Sequence, residues 1–189
     1  FGRPVVIDNR PGGNTIIGVG AVAKAAPDGY TVLLAGNSQL ILALLMKPPY
    51  DIFKDFAPVS VIAKTNYILV ATPSLPANNL QEFIAYAKTK PGQLNVGSVA
   101  TGSGQHLMGE LFNMLAGVKL HHVPYKGGSQ IITDLMGGHV HVSFSNANNA
   151  IPHVRSGKRK GLAITGDKRA PAVLDLPTYA EAGLPGYDP

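Results

Sequence analysis

The feature that most constrains this chain is a repeated order of short strand-like run, small-residue loop and helix-like stretch. Thr31–Ala35 (TVLLA) leads through a Gly-Asn-Ser loop into an apolar helical stretch, Gln39–Met46. Leu94–Ser98 leads in the same way, through a glycine-rich loop, into His106–Ala116. Runs of strand and helix that alternate at this spacing predict a mainly parallel sheet with helices on both faces. The fold class is therefore α/β.

The same reading along the whole chain gives a full set of predicted elements. The predicted strands are Pro4–Asn9, Thr31–Ala35, Ala57–Ala63, Tyr67–Ala71, Leu94–Ser98, Leu120–Val123, Val140–Phe144 and Gly161–Thr165. The predicted helices run from Asn14 or Thr15 to about Ala25, then over Gln39–Met46, Leu80–Lys88, His106–Ala116, Gln130–Met136 and Asn146–Ser156. Apolar residues recur at helical spacing in the third of these helices, and Asn79 is placed to cap it.

The loops after the strands share an uncharged chemistry. They are Pro11–Asn14, Gly36–Ser38, Ala100–Gln105, Lys126–Ser129 and Ser145–Asn146. Ligands of open α/β sheets bind at the carboxyl ends of the strands, where such loops lead into helices. Glycine lets backbone N–H groups approach a ligand, and a helix N-terminus attracts negative charge. The loops contain no carboxylate, so they fit an anion. The alternative is that these residues serve only as turns and helix caps.

Composition excludes several other classes of function. The 189-residue chain has a net charge of +5, but its basic residues are dispersed. Their densest run, Arg155 to Lys160, lacks the aromatic residues of a nucleic-acid-binding module. The chain has no cysteine, which excludes disulfides, thiolate zinc sites and cysteine nucleophiles. Its longest apolar run, Leu40–Met46, is far shorter than the ~18 residues of a membrane span.

Candidate catalytic and metal-binding residues are weak. Ser103 precedes His106 closely, but a hydrolase would place its serine in a G-x-S-x-G elbow, which is absent. Ser103 is better explained as a helix cap and hydrogen-bond donor to a ligand. His139 and His141 share one face of a strand and could pair on a metal, yet no cysteine or nearby carboxylate completes a set. We therefore predict neither catalysis, nor a metal, nor a cofactor.

Two polar side chains beside these loops have open roles. His106 lies in the first turn of a predicted helix, where it contacts a ligand or supports the cap. Lys126 follows Pro124 and Tyr125 and precedes two glycines, so it either pairs with a carboxylate or is simply exposed.

A series of motifs carries a resemblance that covers essentially the whole chain. The motifs are NRPGGN at 9–14, APDGYT at 26–31, YD at 50–51, KDFAPV at 54–59, HVPYKG at 122–127, LPT at 176–178 and EAGLPGY at 181–187. The series resembles the Bug receptors, the extracytoplasmic solute-binding components of tripartite tricarboxylate transporters. Two positions depart from it. Ser38–Leu42 stands where many members have His-Ala-x-Asn-Pro, and Ser145-Asn146 stands where Asp-Asn is common.

The resemblance implies a periplasmic-binding-protein type II-like fold. It has two lobes, each with a mainly parallel sheet flanked by helices, and a hinge of crossing strands. The first lobe would comprise residues 1–62 and the second 63–160, and residues 161–189 would return to the first. Because the chain begins with Phe1 and ends abruptly at Pro189, we expect both ends to be truncated, without the N-terminal strand–helix unit and the C-terminal segment.

The resemblance also implies a function. We expect a monomeric periplasmic protein that captures a small carboxylate (a di- or tricarboxylate, an acidic amino acid or an aromatic acid) for membrane transporter subunits. The same receptor could instead signal to a sensor kinase, and the rival from another class is a serine-type hydrolase. The predicted ligand-binding residues are Gly36, Asn37, Ser38, Ala100, Thr101, Gly102, Ser103, His106, Lys126, Gly127 and Asn146.

Overall fold

The computed structural model describes residues 2–189 and divides the chain into two compact units, Phe1–Ser60 and Val61–Pro189. In the first unit, a 3-10 turn at Gly13–Thr15 leads into helix α1, Ile16–Ala23. Helix α2 follows at Asn37–Leu45. Both helices predicted for this part of the sequence are confirmed, with ends shifted by one or two residues.

The strands predicted in the first sixty residues and across the boundary are wrong. Pro4–Asn9, Thr31–Ala35 and Ala57–Ala63 have irregular backbone, and the described residues 2–60 contain no strand. A strand exists only where a neighbour takes up its backbone hydrogen bonds, and these segments pair with no other strand in the described chain. Their β-branched side chains stay exposed, to 88% at Val6 and 79% at Val61.

The second unit is built on a five-stranded sheet in the order β3-β2-β4-β1-β5. The strands are β1 Tyr67–Ala71, β2 Asn95–Val99, β3 His121–Tyr125, β4 Val142–Asn146 and β5 Lys160–Ile164. β2 pairs in parallel with β3 and β4, whereas β1 is antiparallel to β4 and β5. Four strands therefore run in one direction and β1 in the other, which confirms a mainly parallel α/β sheet.

Helices cover both faces of this sheet. Alternate residues of β1 show the division, since Leu69 and Ala71 belong to one apolar cluster and Ile68 and Val70 to another. The first cluster includes side chains of α3 (Leu80–Thr89) and α4 (Gly104–Ala116). The second includes side chains of α5 (Gly128–Gly137) and α6 (Ala147–Arg155). As predicted, Asn79 caps α3, because its Oδ1 accepts a hydrogen bond from the N–H of Glu82 at 2.9 Å.

The C-terminal residues pack within the second unit. A short 3-10 turn at Pro171–Val173 follows β5, and the backbone of Thr178 bridges to Ile164. The buried Tyr187 hydroxyl donates a hydrogen bond to the carbonyl of Met108 at 3.0 Å. The predicted return of residues 161–189 to the first lobe stays a prediction.

The topology brings three helix starts to one edge of the sheet. β2, β3 and β4 are parallel, so their carboxyl ends share that edge. α4, α5 and α6 each begin within five residues of those ends. β1 runs the other way, and α3 therefore begins at the opposite edge.

Candidate functional site

Eight of the predicted site residues lie at the shared end of β2, β3 and β4. They are Ala100, Thr101, Gly102, Ser103, His106, Lys126, Gly127 and Asn146. We call this region the carboxyl edge. The first two of its loops are joined by a hydrogen bond from the N–H of Ala100 to the carbonyl of Tyr125 at 3.0 Å. The sequence argument for a shared edge therefore holds for these residues.

The loop between β2 and α4 has a tightly defined conformation. Ala100 and Gly102 adopt positive φ angles of 67° and 80°, a region that costs energy for any residue with a Cβ. The buried Ser103 hydroxyl accepts a hydrogen bond from the N–H of His106 at 3.2 Å. The N–H of Gly102 donates to Nδ1 of His106 at 3.1 Å. Ser103 thus caps α4, as predicted. The ring of His106 fixes the preceding loop through its hydrogen bond with the N–H of Gly102.

Gln105 braces the carboxyl edge and was not singled out from the sequence. Its Oε1 accepts a hydrogen bond from the N–H of Val99 at 3.0 Å. Its Nε2 donates to the carbonyl of Phe144 at 2.8 Å. One side chain therefore joins the ends of β2 and β4 through the start of α4. No local motif marks such a brace, because its second partner, Phe144, is distant in sequence.

A pair of histidines lies beside the same loop. The rings of His106 and His122 stack, with centroids 3.9 Å apart and planes inclined by 30°. Nε2 of His122 lies 2.6 Å from the hydroxyl of the buried Ser98, which in turn donates to the carbonyl of Ala100 at 3.3 Å. Burial, followed by the charge of His106, lowers the pKa of His122. The pair therefore favours a neutral imidazole at His122 next to the loop.

The start of α5 is open to a ligand. Its N-cap is Gly127, which has no side chain that could accept a capping hydrogen bond. The first N–H groups of the helix are therefore not capped by this residue. Lys126 is exposed just before it. Behind them the Tyr125 hydroxyl donates to Oδ2 of Asp134 at 2.6 Å, and burial with this carboxylate raises the pKa of Tyr125 to about 12.

The start of α6 is capped by its own chain. Oδ1 of Asn146 accepts a hydrogen bond from the N–H of Asn148 at 3.0 Å. The N–H of Ala147 donates to the carbonyl of Asn66 at 2.8 Å. Asn146 thus combines a capping role with its position at the carboxyl edge.

The remaining predicted residues lie in the first unit, at the start of α2. The N–H of Gly36 donates to Oε1 of Gln39 at 2.8 Å. Asn37 is exposed and Ser38 half-buried. Their role as ligand contacts stays a prediction.

The side chains and helix lengths of residues 2–189 can be compared with the requirements of a metal site and of a membrane-spanning helix. No three His, Cys, Asp or Glu side chains of that range are grouped as a metal site. Nδ1 of His141 instead accepts a hydrogen bond from the N–H of Asn95 at 2.9 Å. None of the helices described has both the length and the apolar character needed to cross a bilayer.

An α/β unit with uncharged helix-initiating loops at one sheet edge is an architecture suited to binding a small ligand. The comparison with protein families agrees and is specific. The chain belongs to the TctC family, the tripartite tricarboxylate transporter family receptors, whose family pattern matches residues 1–188. The family is one of receptors and not of enzymes, as the sequence predicted, and a solved neighbour is the periplasmic binding protein BugD.

Individual relatives point the same way. The chain is 38% identical to Protein BugT of Bordetella pertussis, over 99% of this chain and 58% of that protein. A Rhodopseudomonas palustris protein solved with adipate is 37% identical, with a TM-score of 0.86 over 100% of this chain and 64% of that one. MatC of the same species, solved with bound malate, is 34% identical, with a TM-score of 0.85 over 100% of this chain and 65% of that one. The chain therefore spans somewhat more than half the length of its relatives.

Proposed function

We propose that this chain is part of a periplasmic receptor that captures a small carboxylate and delivers it to membrane transporter subunits. The observation that carries the proposal is the carboxyl edge, where α4, α5 and α6 all begin next to one another. The structures solved with adipate and malate support a carboxylate as the ligand class.

The binding chemistry follows from the loops. N–H groups of the first turn of α5 would donate to carboxylate oxygens, and the exposed ammonium of Lys126 would add charge attraction. No acidic side chain belongs to the loops 100–105, 126–129 or 145–146, so none opposes an anion. The further contacts predicted for Gly36, Asn37 and Ser38 of the first unit are part of the same proposal.

Matched neutral solutes test the ligand class. Calorimetry would compare malate and adipate with malamide and adipamide, their uncharged diamides, at constant ionic strength. We expect measurable binding of at least one dicarboxylate and none of the diamides, because helix N-termini and Lys126 select for negative charge. Tight binding of a diamide together with no binding of any carboxylate would overturn the proposal.

A pair of cap variants tests the place of binding. Ser103→Ala removes the cap of α4 at the carboxyl edge, and Asn79→Ala removes the cap of α3 at the opposite edge. Each should lower the free energy of unfolding by about 1 kcal/mol. Only Ser103→Ala should also weaken dicarboxylate binding. Equal affinities of the two variants would place the ligand elsewhere.

A further inference from the structure

Arg159 is a buried cation whose guanidinium is largely unpaired within residues 2–189. It lies directly before β5, is 2% exposed, and neither its Nε nor its Nη2 has a hydrogen-bond partner among the described residues. Two other cations of the second unit have polar partners. Lys160 Nζ donates to the carbonyls of Leu75 and Ala77 at 2.7 and 3.2 Å, and Arg169 pairs with Glu181 at 2.8 Å. Because burial of an unpaired charge is costly, the position of Arg159 indicates a missing anionic partner.

Arg159 lines a cavity between α5 and α6. The cavity has a volume of about 600 Å³ and its wall includes the first-turn residues Gly128 and Ser129 of α5 and Asn148 and Asn149 of α6. No Asp or Glu belongs to this wall. The volume is within the range of pockets that bind small organic molecules. A small anion would therefore meet one buried positive charge and several neutral hydrogen-bonding groups.

The mouth of the cavity adds an independent attraction for anions. Gly128 and Ser129 open α5, a ten-residue helix whose N-cap, Gly127, makes no side-chain capping bond. The start of α6, in contrast, is capped by Asn146. The first N–H groups of α5 are consequently available to donate hydrogen bonds to an anion, and the partial positive charge of the helix N-terminus adds to the attraction.

We propose that the cavity between α5 and α6 is a carboxylate-binding site in which Arg159 is the counter-ion and the first turn of α5 donates N–H hydrogen bonds. A guanidinium suits this role because its fork of donors matches both oxygens of a carboxylate. The inference rests on the proposed function and extends the ligand-binding residues beyond the uncharged loops. It adds Arg159 to the groups that distinguish a charged acid from its amide.

Three variants of the full chain test this role. Arg159→Gln removes the charge, Arg159→Lys keeps it without the fork, and Arg155→Gln is the control at an exposed arginine of α6. By calorimetry, Arg159→Gln should bind malate or adipate about 30-fold or more weakly, as for the loss of one member of a buried charge pair. Arg159→Lys should fall between Arg159→Gln and the wild type, and Arg155→Gln should match the wild type.

The melting temperature without ligand supplies a second readout. Arg159→Gln should melt no lower than the wild type, because the guanidinium that the substitution removes makes no hydrogen bond through its Nε or Nη2. A much lower melting temperature would reveal a structural partner and overturn the inference. Wild-type affinity of Arg159→Gln for a dicarboxylate would overturn the inference but leave the proposed function intact. Failure of the wild type to bind any carboxylate would overturn both. Stabilisation by inorganic phosphate alone, dependent on Arg159, would overturn the assignment to carboxylates.

Discussion

At the scale of single residues, the surroundings of His122 lead to a prediction of how stability depends on pH. The pKa of His122 is lowered from its ordinary value of 6.5, first by burial and then by His106. Between the lowered folded pKa and about pH 6.5, this side chain therefore binds more protons in the unfolded state than in the folded state. Stability from the neutral imidazole is fully present above that pH and is lost as the pH falls towards the lower folded pKa.

Melting temperatures between pH 7.5 and 5 would measure this effect. The wild type should lose stability on acidification, and His122→Asn, which cannot titrate, should lose less. Identical slopes for His122→Asn and the wild type would contradict the argument.

Local spacing predicts some site residues and not others. Ser103 and Asn79 were predicted as caps because a cap bonds to an N–H three residues later, within the same short segment. Gln105, Ser98 and Arg159 were not assigned roles. Their partners or surroundings are separated from them by tens of residues, as for Gln105 and Phe144. Such roles depend on tertiary packing, which spacing along the chain does not specify.

At the scale of elements, two glycines allow opposite predictions. A Cβ at Gly97 in β2 would lie 3.1 Å from Cγ2 of Ile131 and 3.2 Å from Cγ1 of Val140. Since both neighbours are buried, Gly97→Ala should force a shift that lowers the free energy of unfolding by about 1–3 kcal/mol. Urea denaturation would measure the change. The close approach of α5 to the sheet is thus a consequence of this glycine.

Gly109→Ala is the matched control on the other face of the sheet. A Cβ there would lie no closer than 3.8 Å to Val96, an ordinary contact, inside helix α4. The free energy of unfolding should rise by about 0.5–1 kcal/mol, because alanine favours a helix over glycine. Equal effects of the two substitutions would show that Cβ contacts do not govern either site.

Strands were predicted well only where their pairing partners are present. All five strands of the second unit were predicted to within two residues, and each finds a neighbour in the sheet. Thr31–Ala35 has an equally strong strand composition but has no strand to pair with in the described chain. Composition indicates that a segment is suited to a pleated, half-buried strand. It does not indicate whether a neighbouring strand is present to pair with it.

At the scale of the whole molecule, the two units differ in how much apolar surface they bury. The second unit holds two extended apolar clusters, with Phe83, Phe112 and Phe144 fully buried. The buried apolar residues of the first unit, as far as it is described, are Val19, Leu42 and Tyr50. Because apolar burial is the main stabilising contribution to folding, the first unit should open far more readily than the second.

Limited proteolysis with thermolysin, which cleaves before apolar residues, would measure this difference. The earliest cuts should fall within residues 2–62, at exposed sites such as Val6, Leu34 and Val59, which are 88%, 76% and 85% exposed. Mass spectrometry should then find a resistant fragment that begins near Val61 and retains Tyr187, whose ring packs on Phe112 and Phe144. Early cleavage between β1 and β5 would contradict the division. Retention of the dicarboxylate effect on melting by that fragment would further show that the carboxyl edge alone recognises the ligand.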